Sequence, residues 1–421
     1  MSLSRRRFLQ TSSALALSAA SYSRAADSPN ETIRVAVMGA RIRGKFHLGA
    51  FPSLPNTEVT HIIEPDESLI PAALEIVAKK QKSVPKVETD VRKALDDQSV
   101  TALVVAAPDH WHALATVWAC QAGKHVYVEK PCSHNIIEGR RMVNAARKYK
   151  RVVQVGTQRR SADHVIAARE FVQSGKLGKV PFARAWIAGN RPSIGKKANT
   201  AVPKGVDYSL WSGPAKLHEF NPNHFHYNWH WFWEYGTGEI GNNGIHMLDV
   251  ARNVLNLDAP TRVTSSGGKY FYDDDQQTPD TQLATFDFPN CTLVWEHRIW
   301  AKAGLEGEPF GVALHGEKGT LVFTKNGWEV RDGVTATHKH GTAIEMAHVR
   351  DFLDRVRDGK TPTADIEEGH KSTRLCHLGN IAHRVGRSLK FDAATETIPG
   401  DAEANQLLGR EYRKGFELPT V

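Results

Sequence analysis

Lys130 is the residue whose type and place in this sequence could most readily do chemistry. It ends an apolar, strand-like run within residues 126–131 and precedes a proline. An amine that is held partly out of water has its pKa lowered toward neutral pH, so it can accept or give a proton. Removing a hydride from a carbinol carbon leaves a hydroxyl proton for such a group to accept. We therefore expect Lys130 to act as general base in oxidation and general acid in reduction, with His246 bonded to a neighbouring hydroxyl.

Residues 33–44 have the pattern of a strand followed by a nucleotide-binding turn. Residues 33–38 are apolar and strand-like, and Gly39 and Gly44 frame a short turn before a helix-like stretch. Arg41 stands where a middle glycine would let a phosphate approach. Its guanidinium could bind phosphate but would also crowd it, so the turn alone is a weak signal. Gly39, Arg41, Arg43 and Gly44 are our predicted dinucleotide contacts.

A carboxylate follows at the expected distance. A second apolar run, residues 59–63, ends in Glu64, twenty residues after Gly44. A carboxylate at that place can accept hydrogen bonds from both ribose hydroxyls. Because Glu64 and Asp66 together would repel a 2′-phosphate, NAD is favoured over NADP.

A third apolar run, residues 100–107, leads into Pro108, His110 and His112 at the start of an amphipathic helix. Ligands of parallel sheets bind beyond the carboxyl ends of the strands, where Pro108 and Glu129 fall. The lysine itself is expected to follow the fourth parallel strand. Pro108, His110, His112, Glu129 and Lys130 are all predicted to line the cofactor site. For the two histidines, capping or packing of the helix is an equally good interpretation.

These residues together resemble the Gfo/Idh/MocA family, the relatives of glucose-fructose oxidoreductase and inositol dehydrogenase. The resemblance covers nearly all of the chain after residue 30. The combination of Glu129, Lys130 and Pro131 with a distant histidine is specific, whereas the glycines alone are not. The segments that carry the resemblance are 39–44, Glu64, 106–112, 122–131 and 236–249. It implies an oxidoreductase of sugars, cyclitols or related polyols that uses a nicotinamide cofactor.

The resemblance also implies an α/β fold with two domains. Residues 31–155 would form an N-terminal Rossmann domain with a doubly wound parallel sheet. Residues 156–365 would form a C-terminal α+β domain with an open, mainly antiparallel sheet, whose exposed face would make a homo-dimer or homo-tetramer. A helix over 366–390 would pack back at the domain junction. Gln158 is expected beside the nicotinamide, and Arg160 beside the substrate.

One position departs from the family pattern, in which an aspartate stands four residues before the histidine. This chain has Asn242 there, on the same predicted helix face as His246. An amide can hold an imidazole by a hydrogen bond but cannot stabilise an imidazolium with a full charge. His246 is therefore expected to be a weak base, with Asn242 and Lys130 beside it in the catalytic set. Asp249 could supply some of the missing charge near the substrate, or it could lie on the helix surface.

Residues 189–236 form an irregular loop with a dense run of aromatic residues and histidines. Aromatic rings stack on the C–H faces of sugars, so Trp211, His226, Trp229 and His230 are predicted substrate contacts. Two alternatives remain open, because the loop could form a small core of its own or make an oligomer contact. The histidines also raise the question of zinc, but no cysteine or paired carboxylate lies at ligand spacing, so no metal is expected.

The N-terminus has the pattern of a twin-arginine export signal. Residues 4–10 read Ser-Arg-Arg-Arg-Phe-Leu-Gln and precede a short apolar stretch and small residues, which predicts a signal peptide over residues 1–26. The apolar stretch is too short for a stable membrane anchor. The twin-arginine machinery exports folded proteins, so we expect a periplasmic or otherwise exported protein that carries its NAD tightly bound.

A cofactor that stays bound to the enzyme must return to its starting redox state within the active site. Either a second substrate takes the hydride back, or the reaction is redox-neutral, as when transient oxidation of a sugar permits hydrolysis or elimination of a glycoside. A non-catalytic sugar- or cofactor-binding protein is the alternative of another class. Such a binder would gain little from a part-buried, unpaired amine, so an enzyme is favoured.

Composition agrees with these expectations. The 421 residues, 41% of them hydrophobic, allow about two domains with sizeable cores. The formal charge of +8 includes four arginines within residues 1–26, and what remains is too diffuse to indicate nucleic-acid binding. The four cysteines are widely spaced, so neither a zinc site nor a disulfide is expected.

Overall fold

The computed structural model describes residues 32–341 and 343–421. The predicted signal peptide over residues 1–26 lies outside the described residues. Within the described part, no helix is both long and apolar enough to cross a membrane, and all four cysteines are buried and unpaired.

The N-terminal part contains a six-stranded parallel sheet. Its strands are β1 (Ile33–Met38), β2 (Thr57–Ile63), β3 (Lys86–Glu88), β4 (Ala102–Val105), β5 (His125–Val128) and β6 (Val153–Val155). Their order, β3-β2-β1-β4-β5-β6, confirms the predicted Rossmann sheet. The short, largely exposed β3 has no apolar run and was not predicted. Lys130 consequently follows the fifth parallel strand, and its predicted place after the fourth was wrong.

Five helices pack on this sheet, and the N-termini of two of them face the same crevice at the carboxyl ends of the strands. They are α1 (Ile42–Ala50), α2 (Ile70–Ala78), α3 (Val91–Asp96), α4 (Asp109–Gln121) and α5 (Ile136–Lys148). The strand order reverses between β1 and β4, so α1 and α4 begin on either side of the switch point. Dinucleotides bind at such switch points.

The C-terminal part contains a nine-stranded mixed sheet. Its strands are β7 (Phe182–Ala188), β8 (Arg262–Gly268), β9 (Thr281–Phe288), β10 (Cys291–Arg298), β11 (Phe310–Gly316), β12 (Gly319–Thr324), β13 (Gly327–Arg331), β14 (Thr337–Lys339) and β15 (Leu389–Lys390). The order is β14-β13-β12-β11-β7-β10-β9-β8-β15, and only the pair β7 and β10 is parallel. This confirms the predicted open, mainly antiparallel sheet.

The remaining helices connect the two sheets. They are α6 (Asp163–Gln173), α7 (Tyr208–Ser212), α8 (Ile245–Leu255), α9 (Ile344–Asp358), α10 (Ile366–Val385) and α11 (Ala402–Gln406). The apolar face of α9 packs into the core of the first domain through Val349, Phe352 and Leu353. The helix predicted over 366–390 ends earlier, at Val385, because Gly386 takes a left-handed conformation as its C-cap. Beyond it, β15 forms an edge of the second sheet.

The loop over residues 189–236 folds into a small core of its own, which was one of the open alternatives. Its buried members are Tyr208, Trp211, Ala215, Phe220, Phe225, Trp231, Phe232 and Tyr235. Several of the aromatic rings contact one another in edge-on, tilted or stacked arrangements, for example Tyr208 stacked on Trp211 at 5.6 Å between centroids. The core gives the loop a fixed shape, and one side of it lies over the crevice of the first domain.

Candidate active site

A cleft at the switch point runs between the first domain and the loop. From the first domain it is lined by the β1–α1 turn, the ends of β2 and β4, the start of α4, Glu129 and Lys130; from the rest of the chain by Trp211, His226, Tyr227, Trp229, His230 and Asn242. The carboxyl ends of several parallel strands and the N-termini of two helices therefore face one elongated space. This is the arrangement that binds a dinucleotide.

The turn after β1 fits a dinucleotide. Gly39 has φ +94°, and a Cβ there would lie 2.6 Å from the Ala106 carbonyl oxygen. A Cβ on Gly44 would lie 1.9 Å from the Gly39 carbonyl oxygen. Both glycines are thus required by close backbone packing. The N-cap of α1, Arg41, makes no side-chain cap, so the first amides of this helix are free to meet a phosphate.

Glu64 lies at the end of β2, where a ribose-binding carboxylate is expected. Its Oε2 accepts a hydrogen bond from the Ala40 amide (2.8 Å), and its Oε1 accepts one from the Asp66 amide (3.1 Å). Burial raises the pKa of Glu64 to about 7. Hydrogen bonds from ribose hydroxyls would favour its ionised form, so these residues fit the adenosine end of NAD.

Lys130 lies at the other end of the cleft and donates to Asn242. Its Nζ lies 2.6 Å from the Asn242 carbonyl oxygen and 3.1 Å from Oδ1. Burial lowers the pKa of Lys130. Because only a neutral amide and a carbonyl hold it directly, the ammonium has no charged hydrogen-bond partner within the described residues. This is the environment in which a lysine exchanges protons near neutral pH.

Asn242 accepts hydrogen bonds from Lys130 and makes none to His246, so here the amide orients the lysine and not the imidazole. Asn242 lies in a single π-helical turn, Ile240–Gly244, which precedes α8. The wider turn breaks the simple four-residue spacing on which the prediction relied. His246 Nδ1 is buried without a hydrogen-bond partner among the described residues. Burial, followed by the nearby charge of Lys130, lowers the pKa of His246 well below its usual value, so its ring is neutral at pH 7.

Glu129 and Arg43 form a network of ion pairs and hydrogen bonds next to Lys130. Glu129 Oε1 accepts hydrogen bonds from Arg43 Nε (2.9 Å) and lies 2.8 Å from His47 Nε2. Burial would raise the pKa of Glu129, but Arg43 and His47 hold it well below the ordinary range. Arg43 also pairs with Glu345, to which Gln158 donates at 3.1 Å. Arg43 and Glu129 line the cleft. Gln158, predicted beside the nicotinamide, does not line it and instead joins α9 to this network through Glu345.

The two histidines of α4 have structural roles, as the alternative interpretation held. His110 Nε2 lies 2.9 Å from the Trp211 carbonyl oxygen, and burial lowers its pKa to about 3. The ring nitrogens of His112 lie 2.6 Å and 2.9 Å from the carbonyl oxygens of Pro131 and Ala107. His112 also lines the cleft beside Pro108, whereas His110 faces the loop core and does not. The prediction of His110 as a cofactor contact was therefore wrong.

Arg160 and Asp249 lie away from the cleft, so their predicted substrate contacts were wrong. Arg160 Nε donates to both Asp249 oxygens at 2.9 Å and 3.0 Å. The Arg160 and Asp249 side chains are 5% and 1% exposed, and Ser372 also donates to Asp249. A fully paired Asp249 cannot supply charge to the neighbouring histidine. The two residues instead join the start of α6 to α8 and α10.

The loop contributes to both ends of the cleft. His226 Nε2 lies 2.9 Å from an Asp66 carboxylate oxygen, at the adenosine end and not at the substrate end where it was expected. Burial lowers the pKa of His226 to about 4, so the neutral ring donates this hydrogen bond. Trp229 stacks on His230 at 3.6 Å between centroids, and both line the cleft with Lys130. Trp211 lines it too, although only 5% of its surface is exposed.

Two polar residues of the site were missed. Asp109, the first residue of α4, lines the cleft and is 1% exposed. Its Oδ2 accepts a hydrogen bond from the hydroxyl of Thr237 at 3.0 Å. An acidic residue at the start of the helix that follows β4 was the available signal, but it resembled an ordinary helix-start residue. Within the described ranges, no group of three or more His, Cys, Asp or Glu side chains could hold a metal ion.

Comparisons with known proteins agree with this fold. Residues 33–157 match the model of an oxidoreductase family's NAD-binding Rossmann fold, and residues 189–418 match the same family's C-terminal alpha/beta domain. Inositol 2-dehydrogenase of Leifsonia xyli subsp. xyli is 30% identical over 45% of this chain and 52% of its own length. Alpha-N-acetylgalactosaminidase of Shewanella oneidensis is 25% identical over 28% of this chain and 27% of its own length. The chain thus spans about half or less of the length of these curated relatives.

Solved structures share the overall fold. The WlbA dehydrogenase from Bordetella pertussis, solved with NADH and UDP-GlcNAcA, has a TM-score of 0.67 at 18% identity, with 86% of this chain and 99% of that chain covered. The two family models together span both domains, from the first strand to beyond α11. The chain is therefore a member of the Gfo/Idh/MocA oxidoreductase family, with an N-terminal NAD-binding Rossmann domain.

Proposed function

We propose that this protein is an oxidoreductase with tightly bound NAD that moves a hydride to or from a carbinol carbon of a sugar, cyclitol or glycoside. The observation that carries the proposal is the placement of Lys130, an amine with a lowered pKa at one end of the NAD cleft. The name of the curated relative inositol 2-dehydrogenase supports the substrate class.

The residues of the site divide the work. When bound, NAD supplies the hydride acceptor or donor. Lys130 accepts the hydroxyl proton during oxidation and returns it during reduction. Asn242 fixes the direction of the amine through its carbonyl and side-chain oxygens. His246 is neutral and near Lys130, and although it is not among the residues that line the cleft, we assign its unpartnered Nδ1 to a hydrogen bond with a substrate hydroxyl.

The wall opposite the lysine favours a sugar. Trp229 and His230 present stacked rings to the cleft, and Tyr227 lies beside them with its hydroxyl accepting from Arg191 at 2.8 Å. Flat rings meet the C–H faces of a pyranose or cyclitol, while the interleaved polar atoms meet its hydroxyls. Trp211 is too deep in the loop core to offer its face, so we assign it to shaping this wall.

Tight retention of the cofactor is supported by the way the loop docks on the end of β2. His226 donates to Asp66, the Glu67 amide donates to the Gly205 carbonyl (2.9 Å), and the Asp207 amide donates to the Pro65 carbonyl (2.8 Å). These contacts join the C-terminal domain to the residues beside Glu64. We infer that these contacts hold the loop over the cofactor and slow its release.

Replacing His226 by alanine should speed cofactor release about tenfold. The change removes a hydrogen bond to a charged acceptor, a contact worth about 1.5–3 kcal/mol, and part of that energy holds the loop closed. Release can be measured as the loss of bound NADH fluorescence during a chase with excess NAD+. His218→Ala, an exposed histidine of the same loop, is the matched control and should leave the rate unchanged. Equal rates in both variants would show that the loop does not retain the cofactor.

Redox-neutral glycoside cleavage is a second candidate, and one observation favours it. A relative that is similar to this chain over 122 residues is named alpha-N-acetylgalactosaminidase, a name that refers to glycoside cleavage. Transient oxidation at one sugar carbon acidifies its neighbour and permits loss of the aglycone, after which the hydride returns. The same lysine would then accept and return one proton in each cycle.

One experiment separates the two candidates. The purified protein is incubated with free sugars and with aryl glycosides while the absorbance of the bound cofactor near 340 nm and aglycone release are followed. Net oxidation predicts a lasting absorbance rise with free sugars. Redox-neutral cleavage predicts aglycone release without a lasting rise. If no sugar or glycoside produces either signal, the proposed function is wrong.

Two proposals concern the protein in its cell. We propose export through the twin-arginine pathway on the sequence of residues 4–10, and a cofactor that cannot leave suits a compartment without free NAD. We also propose a homo-dimer or homo-tetramer through the open face of the second sheet, where Leu283 and Phe310 are about 40% exposed. Cell fractionation tests the first, and sedimentation of the purified protein tests the second.

A further inference from the structure

His230 has one ring nitrogen bonded inside the loop and the other open to a ligand. Its Nδ1 lies 2.5 Å from the carbonyl oxygen of Tyr227, three residues earlier. Because a carbonyl oxygen only accepts, Nδ1 carries the proton of the neutral ring and Nε2 keeps its lone pair. Burial lowers the pKa of His230 to about 3, so the ring is neutral at pH 7. Among residues 32–341 and 343–421 no donor bonds to Nε2, which leaves it as an open acceptor.

The direction of this acceptor is fixed by its neighbours. The His230 ring stacks on Trp229 with 3.6 Å between centroids and 18° between planes, which sets the plane of the imidazole. The hydrogen bond from Nδ1 to Tyr227 sets the rotation of the ring within that plane. All three residues line the cleft that also contains Lys130. The wall of the cleft thus presents one hydrogen-bond acceptor in a defined orientation.

Arg191 ties this wall to the segment that orients the lysine. Its Nη1 donates to the Tyr227 hydroxyl at 2.8 Å, and its Nη2 donates to Glu239 Oε1 at 3.2 Å. Glu239 is 1% exposed and directly precedes the π-helical turn, whose Asn242 accepts from Lys130. One guanidinium therefore links the segment that holds the His230 ring to the turn that holds the amine, so a substrate meets both at a fixed separation.

We propose that His230 is a specificity-determining residue whose Nε2 accepts a hydrogen bond from one unsubstituted ring hydroxyl of the substrate, while Arg191 positions it through Tyr227. The inference rests on the proposed function and narrows its substrate class. A site built to bond to a hydroxyl rejects an analogue that lacks the donor, because its own polar atom is then left unpaired. Stacking on a ring face makes no such distinction. The substrate is therefore a sugar or cyclitol that is neither alkylated nor glycosylated at that hydroxyl.

The test is a binding scan with the cofactor reduced to NADH, so that a sugar binds but is not oxidised. Glucose, galactose, xylose and myo-inositol are titrated while the fluorescence of the bound NADH is followed. The tightest binder is then compared with its deoxyfluoro analogues, one for each ring hydroxyl, since fluorine fills the space of a hydroxyl but cannot donate. For wild type, one analogue should bind about 5- to 100-fold more weakly than its parent.

Four variants assign that loss to Nε2. His230→Asn keeps a donor for the Tyr227 carbonyl, and His230→Phe keeps the stacked ring, but neither has an acceptor in place of Nε2, so parent and analogue should bind alike. His230→Gln places its side-chain oxygen near the Nε2 position and should still discriminate between them. His218→Phe, at an exposed histidine of the same loop, should behave as wild type.

The outcomes separate this inference from the proposed function. Equal binding of all analogues by wild type, a loss that persists in both His230→Asn and His230→Phe, or failure of all four probes to bind would overturn the inference. Oxidation of a sugar by a protein that binds every analogue equally would leave the proposed function standing. The expected binding pattern without oxidation or cleavage of any sugar would instead contradict the proposed function alone.

Discussion

Lys130→Met should lose about 10²- to 10⁴-fold in kcat while it keeps its fold and its bound NAD. Methionine fills the space of the lysine stem but cannot accept a proton, and general acid–base groups contribute about this factor. The hydroxyl proton would then have to leave to water without a positioned acceptor. Steady-state turnover with the best sugar, together with the dinucleotide content of the denatured protein, checks the prediction.

The control is Lys80→Met, an exposed lysine far from the cleft, which should behave as wild type. NAD occupancy separates a loss of chemistry from a loss of cofactor binding, because Lys130 is expected both to line the cofactor site and to accept the substrate proton. Undiminished turnover by Lys130→Met with full occupancy would contradict the role of this amine as the proton acceptor.

Asp249→Ala should lower the free energy of unfolding by about 3–5 kcal/mol, with little change in KM. It leaves the buried Arg160 guanidinium without its bidentate partner, and breaking a buried ion pair costs about this much. Urea denaturation of the two proteins measures the difference. Because Asp249 lies away from the cleft, the folded fraction should still bind substrate normally.

The matched control is Asp258→Ala, which removes an exposed ion pair with Lys371. Exposed pairs contribute about 0–1 kcal/mol, so this variant should remain close to wild type. A raised KM with unchanged stability in Asp249→Ala would mean that Asp249 contacts the substrate, as the sequence suggested, and that its ion pair with Arg160 does not stabilise the fold.

Short-range sequence patterns were enough to predict the residues at the ends of the parallel strands. The glycines after β1, the carboxylate after β2 and the lysine after β5 could be placed because each closes an apolar run at the same edge of a parallel sheet. β3 was missed because a three-residue, exposed edge strand has no apolar run to recognise. The two sheets themselves followed from strand periodicity and from the family resemblance.

Contacts between distant segments could not be predicted in this way. Arg160 and Asp249 are 89 residues apart, and each had the type of a substrate-binding residue; only the fold shows that they neutralise each other. Asn242 lies in a π-helical turn and accepts a hydrogen bond from Lys130. A spacing rule based on a regular α-helix does not predict this contact. Asp109 needed the partner Thr237 from the other domain to be recognised.

The most direct test of the role of Lys130 is a crystal structure of the NAD complex with a bound sugar. We predict the adenosine ribose at Glu64, the nicotinamide at the Lys130 end, and Lys130 Nζ within about 2.6–3.2 Å of the hydroxyl on the carbon that faces the ring. A complex in which the nicotinamide lies away from Lys130, or in which the reacting hydroxyl contacts another base instead, would contradict this role.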